Sequence, residues 1–327
     1  MTSQISGNST TPAFLTASKA ARIHEFGSPE VITLEDWRPP VPQAGEVLVR
    51  VKAAGVGPWD AWVRAGKSAL PQPLPLTPGS DIAGRIVALG PDVTGFAVGD
   101  AVFGVTNPNF TGGYADYAIV SAVMIARKPE GLANLDAASV PVVAVTAWQA
   151  LFEHAHLRRG QSVLIHGAAG NVGAYAVQLA RAAGLRILTT ARRRDHAFVR
   201  SLGADIVIDP DTQAFESRAG QVDAVLDLVG GDVQERSFAV VKPGGFLVSA
   251  VAPPDQARAA AAGIAALFFL VEVTTARLDE IAGRLEAGSL RTQLGAVLPL
   301  ASARVAHEML EGTRPRPRGK IVLQVAE

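Results

Sequence analysis

The sequence contains no cysteine. Disulfides, thiolate nucleophiles and cysteine-based zinc sites are thereby excluded, and the absence is compatible with a cytoplasmic enzyme. Neither sign of charge is in excess: 30 lysines and arginines stand against 30 aspartates and glutamates. The chain therefore has no electrostatic reason to seek nucleic acid or an anionic membrane, and neither is expected as a partner. Long hydrophobic runs are also missing. The longest, residues 138–152 and 259–271, fall short of the roughly 20 residues a membrane helix needs, and the first holds Pro141. Both are read as core. The opening residues 1–18 lack the charged start and apolar centre of a secretory signal and are read as a disordered extension.

What is present suffices for two hydrophobic cores. The chain has 327 residues, 48% of them hydrophobic, and one core rarely serves that length. Residues 20–121 read as short β-rich runs separated by glycine and proline, among them EVLVRVKAAGV, IAGRIVAL and YADYAIVS. That is a strand-rich, barrel-like pattern. From residue 142 apolar strands alternate with helical stretches: SVLIHG, VGAYAVQLARAAG, RILTTA, DHAFVRSLG, DIVID and DAVLDLVGG. Regular alternation implies right-handed crossovers and a doubly wound parallel sheet. After residue 273 two amphipathic helices precede GKIVLQV, a closing strand with no βα partner of its own, which is expected to return to the first domain. The expected α/β organisation is one β-rich domain, from residues 19–139 and 274–327, around a parallel-sheet domain at 140–273.

The junction SVLIHGAAGNVG indicates what the second domain holds. Gly167, Gly170 and Gly173 lie between a buried-strand pattern and a helix whose apolar face carries Val172, Ala176, Leu179 and Ala183. A diphosphate reaches unpaired backbone N–H groups at a helix start only where no side chain holds it off, and the helix dipole favours the anion. Gly173 also lets the helix pack close on the sheet, while Ala168 and Ala169 keep the turn compact. The spacing is Gly-x-x-Gly-x-x-Gly rather than the commoner Gly-x-Gly-x-x-Gly. Its place between strand and helix, at the head of a βα series, supports dinucleotide binding by residues 167–173, Asn171 included; a purely structural tight turn is the alternative.

An NAD-binding unit places Asp or Glu at the end of its second strand, against the ribose 2′-hydroxyl. Here Thr190 is followed by Ala191, Arg192, Arg193 and Arg194. The missing carboxylate and the guanidinium groups point to a 2′-phosphate and hence to NADPH. Arg192 is first and Arg193 second in line to meet it, with Thr190 as a neutral hydrogen-bond donor. A solvated basic turn is the plainer alternative for the three arginines.

In this order, AAGVGPWDAWVRAG, PLTPGSDIAGRIVALGPDVTGFAVGDAVFG, TGGYADYA, AASVPVVAVTAWQAL, HGAAGNVG, DLVGG, KPGG and GKIVL resemble the medium-chain dehydrogenase/reductase superfamily, in its zinc-free quinone oxidoreductase-like (zeta-crystallin-like) branch. The resemblance runs from about residue 20 to the end. It implies a Rossmann domain inserted in a chaperonin-10-like (GroES-like) barrel domain, with the cofactor in the cleft between them. It further implies Thr146 near the nicotinamide-side phosphate, Val229 and Gly230 beside the nicotinamide ribose, and Phe269 and Val271 lining the nicotinamide pocket; ordinary packing is the alternative for the last four. The apolar stretch 264–273 resembles the edge strand that relatives pair across a twofold axis, which implies a homodimer.

The family's alcohol dehydrogenases hold zinc with cysteine and with the histidine of a Gly-His-Glu segment. The matching region here reads PGSDIAG and the 6 histidines are dispersed, so no metal is expected. No Gly-x-Ser-x-Gly elbow suggests a hydrolase. Proton donors are thinned as well: where relatives carry Asn-Pro-x-Asp and nearby tyrosines, this chain has Gly57, Trp62 and Ser68. Tyr114 is left as the candidate substrate-facing phenol, with a packing residue beside two glycines as the equal alternative, and Asp60 with Arg64, four apart on a helix, as a brace of the cleft wall. Trp59, Trp62, Phe110, Tyr114 and Phe269 are candidates for a pocket that takes a small apolar substrate. Hydride transfer from NADPH to a quinone or electron-poor alkene suits such a site, because solvent can protonate the stabilised anion that results. Two alternatives stand beside it. One is reduction of an enoyl thioester, with Arg64 and Lys67 for its phosphate handle; the other is an NADPH-binding sensor or structural protein that has lost its chemistry.

Overall fold

The computed structural model describes residues 18–70 and 72–326. The extension expected over residues 1–18 lies outside the described residues except for Ser18, which is buried and whose carbonyl accepts from Trp37 N–H at 2.9 Å. Six strands, Ser162–Ile165, Arg186–Thr190, Ile206–Ile208, Val222–Asp227, Val241–Ser249 and Ala265–Phe268, form a wholly parallel sheet. Numbered along the chain they lie in the order 3-2-1-4-5-6, that of a Rossmann sheet. Alternate residues of the first strand serve different cores: Val163 and Ile165 enter one, Leu164 another. A strand buried on both faces is apolar throughout, which is why SVLI shows no polar alternation. The strand order reverses between the first and fourth strands, so their carboxyl ends flank a crevice.

The other domain is built on the long strand Glu46–Val56, which pairs antiparallel with Asp81–Leu89, Tyr117–Ser121 and Lys320–Gln324. The closing strand thus returns to the first domain, as expected. It is not without a βα partner, however. Leu294–Pro299 pairs with it in parallel, and helix Ala303–Leu310 forms the crossover. That strand is hard to see in the sequence because Gly295 and Pro299 break its apolar pattern.

One of the ties between the two domains is a buried carboxylate. Lys320 Nζ lies 2.7 Å from Asp81 Oδ2, and both side chains are almost sealed from water. Asp81 Oδ1 accepts from Val142 N–H at 2.9 Å, at the start of helix Pro141–Trp148, which leads into the parallel-sheet domain. Gly55 leaves the necessary room: a Cβ there would stand 2.9 Å from Asp81 Cβ and 3.0 Å from Lys320 Cε. A single apolar core runs through the junction, joining Phe103 and Val105 to Val140, Val143 and Val163.

Lys320→Met strands a buried carboxylate, with an expected cost of about 3–5 kcal/mol in urea denaturation. Adding Asp81→Asn, which keeps an acceptor for Val142, should recover most of that loss. Unchanged stability of the single variant would contradict the role given to this pair.

Candidate active site

The turn after the first strand is shaped by its glycines for different reasons. Gly167 has φ +71°, a left-handed conformation that side chains resist. A Cβ on it would also come within 3.2 Å of Val229 Cγ2, so this turn meets the loop after the fourth strand directly at the crevice. Gly170 caps helix Asn171–Ala182 in an extended conformation, φ −76° and ψ 173°, and is exposed. The N–H groups of Asn171, Val172 and Gly173 begin the helix without intrahelical acceptors, the arrangement that receives an anion. At Gly173 a Cβ would stand 2.6 Å from Ala168 Cα and closer still to the Gly167 carbonyl, so this glycine seats the turn on the helix. Ala168 is buried beneath the turn and Ala169 half-buried beside it.

The facing loop is held by Asp227. Its Oδ1 accepts from Val229 N–H at 3.0 Å and Gly230 N–H at 2.8 Å, while Oδ2 accepts from Gln234 Nε2 and Ser249 Oγ, each at 2.9 Å. Gly230 takes φ +77°, and Val229 is left half exposed toward solvent. Sequence reasoning missed Asp227, although an Asp followed two and three residues later by small-residue N–H groups is an Asx-turn signal.

The end of the second strand departs from expectation in one respect. Thr190 is buried, and its hydroxyl faces the glycine turn, 3.3 Å from Gly167 N and 3.1 Å from His166 Nδ1, rather than outward toward a ribose. Arg192 and Arg193 are exposed immediately beyond it. Arg192 Nε is 3.8 Å from Asp211 Oδ2, a solvated pair of little strength. From the other domain Arg318 reaches across, its Nε 3.0 Å from Asp195 Oδ1 and its guanidinium 4.3 Å over the Phe198 ring. The carboxylate that directly follows the arginine run is therefore already paired.

At the nicotinamide end expected from the resemblance, Thr146 is buried and donates to Val142 O in its own helix at 2.7 Å. Phe269 and Val271 are half-buried, and the Phe269 ring lies 4.4 Å from that of His154. On the other domain Trp59 gathers Trp62 and Phe110 edge-on, at ring distances of 6.3 and 6.0 Å.

Tyr114 does not join these aromatics. It is fully buried, its hydroxyl donates to Asp60 Oδ2 at 3.0 Å, and its ring stands edge-on to His307 at 5.9 Å. Gly79 has no side chain because the Tyr114 ring fills that space. Tyr114 is thus a core residue with a satisfied hydroxyl, which corrects its assignment as a substrate-facing phenol. Asp60 also accepts from Gly57 N–H at 2.8 Å. Burial pushes the Asp60 carboxyl up to about 7, against the opposing pull of Lys320 and the Gly57 amide. Asp60 and Arg64 do not brace each other: Arg64 is turned to Gly27 O at 2.9 Å, His307 Nδ1 at 3.2 Å and Glu311. Among the described residues no three His, Asp or Glu side chains are grouped to hold a metal ion.

A glycine turn at the switch point of a Rossmann sheet, set against a β-rich domain closed by the C-terminal strand, defines a two-domain nicotinamide-nucleotide-dependent oxidoreductase. Residues 43–130 match the family model of the alcohol dehydrogenase GroES-like domain, and residues 202–323 that of zinc-binding dehydrogenases. The quinone oxidoreductase of Mus musculus is 34% identical over 310 residues, covering 89% of this chain and 93% of that protein. Among solved structures, the quinone oxidoreductase from Coxiella burnetii has a TM-score of 0.87 at 35% identity, covering 94% of this chain and 99% of that one. A mycobacterial protein complexed with NADPH has a TM-score of 0.83 at 29% identity, covering 94% of this chain and 100% of that one. The chain belongs to the medium-chain dehydrogenase/reductase superfamily, among its quinone oxidoreductase-like members. The zinc in the name of one family model does not fit this donor set, which has no cysteine and, among the described residues, no three-ligand group.

Gly170→Val should fold, since its backbone conformation suits valine, yet lose most nucleotide binding because its methyls stand at the helix start. Gly173→Ala should instead lower the thermal midpoint, because the backbone on both sides cannot yield. Calorimetry and nucleotide titration separate the two; unaltered affinity in Gly170→Val would place the diphosphate elsewhere.

Proposed function

We propose that the protein is an NADPH-dependent reductase of quinones or electron-poor alkenes that works without zinc. The observation that carries this reading is the end of the second strand, where Thr190 meets the glycine turn and exposed Arg192 and Arg193 follow it in place of a carboxylate. When bound, NADPH supplies the hydride. In this reading the backbone of residues 167–173 holds the diphosphate, Arg192 and Arg193 hold the 2′-phosphate, and Thr146, Val229, Gly230, Phe269 and Val271 face the nicotinamide end. Trp59, Trp62 and Phe110 give a flat apolar acceptor a wall to lie against and keep water from it. A quinol anion or enolate is stable enough to take its proton from solvent. The burial of Tyr114 takes the one candidate phenol out of reach, so the reading leaves that proton to solvent.

The missing metal-donor set supports zinc independence. A homodimer through Ala265–Phe268, which pairs with a neighbour on one side only, and a cytoplasmic setting belong to the same reading. No helix among the described residues is long and apolar enough to cross a membrane. The enoyl-thioester alternative is weakened by Arg64, whose guanidinium is buried and already bonded, leaving Lys67 as the phosphate handle.

Oxidation of NADPH by chelator-treated protein, with a panel of quinones, enones and enoyl thioesters, tests the reading. Quinones or enones should be turned over, and the double change Arg192→Ala with Arg193→Ala should raise KM for NADPH by about 10- to 100-fold while sparing NADH. No turnover of any acceptor favours the sensor or structural alternative. Equal use of NADH and NADPH by the unmodified protein removes the role given to the arginines.

A further inference from the structure

His166 is the one residue between the first strand and the glycine turn, and no role in the reaction is assigned to it above. It is fully buried. Each ring nitrogen has a hydroxyl partner: Nδ1 lies 3.1 Å from Thr190 Oγ1 and Nε2 lies 3.0 Å from Ser237 Oγ. The Phe215 ring closes the pocket edge-on at 4.6 Å.

The order of donors along this chain follows from the bond that Ser237 makes to its own helix. Ser237 Oγ donates its proton to Val233 O at 2.6 Å, so toward His166 it accepts, and Nε2 carries the hydrogen. Nδ1 is then the bare nitrogen, and it accepts from the Thr190 hydroxyl. With its proton committed to His166, Thr190 Oγ1 presents its lone pairs to Gly167 N–H, 3.3 Å away. The Thr190 carbonyl meanwhile accepts from Ala168 N–H at 3.2 Å. Both N–H groups that open the glycine turn are therefore held by Thr190, and the direction of its hydroxyl is set by His166. Burial keeps the His166 imidazole well below its ordinary range, at about 4, so it is neutral near pH 7 and one nitrogen remains free to accept.

We propose that His166 is the positioning residue of the dinucleotide turn: fixed as the Nε2–H tautomer between Ser237 and Thr190, it aims the Thr190 hydroxyl oxygen at Gly167 N–H and so sets the backbone against which the diphosphate binds. The proposal rests on the nucleotide-binding reading of residues 167–173. It concerns the diphosphate rather than the ribose, so NADH and NADPH are affected alike, unlike the effect of the arginines. A misaligned turn acts on binding before it acts on hydride transfer, so KM for the nucleotide moves more than kcat.

The test is a set of variants measured by calorimetric titration with NADPH and with NADH, alongside backbone amide exchange over residues 162–173. His166→Leu and Thr190→Val should each weaken both nucleotides about 10-fold or more, the range of a buried hydrogen bond left unmade. Their combination should be little worse than either alone, because both break the same chain. His166→Asn, whose amide oxygen can accept near the place of Nδ1, should restore most of the affinity, and Thr190→Ser should retain it. The exchange of the Gly167 and Ala168 amides should quicken in the Leu and Val variants only. If His166→Leu fails to fold, the comparison of Thr190→Val with Thr190→Ser decides the question. Unaltered affinity and exchange in folded Thr190→Val, or Asn performing no better than Leu at position 166, would overturn the proposal while leaving nucleotide binding intact. Wild-type protein that binds neither nucleotide would overturn the nucleotide reading and this proposal with it.

Discussion

The Asp81 carboxylate, held between Lys320 Nζ and Val142 N–H, is the interaction on which the rest of the architecture depends. It joins a central strand of the β-rich domain, the strand that closes the chain, and the helix that enters the Rossmann domain. A buried ion pair adds little net stability compared with an apolar replacement, but it is costly to break from one side. Its value here is register. A cleft formed from two domains keeps its geometry only if their relative placement is fixed, and a misplacement of about 1 Å is enough to slow a reaction that depends on alignment.

The same principle recurs closer to the nucleotide site. Asp227 spends both oxygens on four donors to shape the loop of Val229 and Gly230, and the series Ser237, His166, Thr190 shapes the turn of Gly167. In both cases buried polar side chains bond to one another and, through Asp227 Oδ1 and Thr190 Oγ1, to the backbone of the loop they shape, and networks satisfied in this way hold a single conformation. The surface offered to ligands is then backbone N–H, exposed guanidinium and aromatic ring. Such a surface is what the proposed reading requires for a diphosphate, a 2′-phosphate and a flat apolar acceptor.

Much of this was legible in the sequence, for reasons that are local. Strands buried on both faces are apolar throughout, helices repeat at their own period, and a glycine turn between the two marks the first βα unit of the Rossmann sheet. The return of Lys320–Gln324 to the first domain was expected from a strand pattern thought to lack a βα partner; the return holds, although Leu294–Pro299 supplies that partner. What stayed hidden depends on where side chains point after folding. Tyr114 beside two glycines reads equally as a packing residue and as a pocket residue, and only the packed core, with Asp60 as acceptor, shows that it faces inward. Thr190 likewise sits where a ribose ligand is expected, yet its hydroxyl turns to His166. Leu294–Pro299 escaped notice because its strand character comes from pairing with Lys320–Gln324 rather than from its own residues.

Hydride transfer across this cleft implies a nicotinamide ring presented with one face toward the acceptor. The most direct measurement is single-turnover oxidation, by metal-free protein and a quinone, of NADPH carrying deuterium at one or the other of its two C4 positions. One isotopomer should be oxidised several-fold more slowly than unlabelled NADPH, the other at nearly the unlabelled rate, with neither changed by chelator. Equal rates for both isotopomers, or loss of the reaction on chelation, would contradict metal-free transfer from a fixed nicotinamide face.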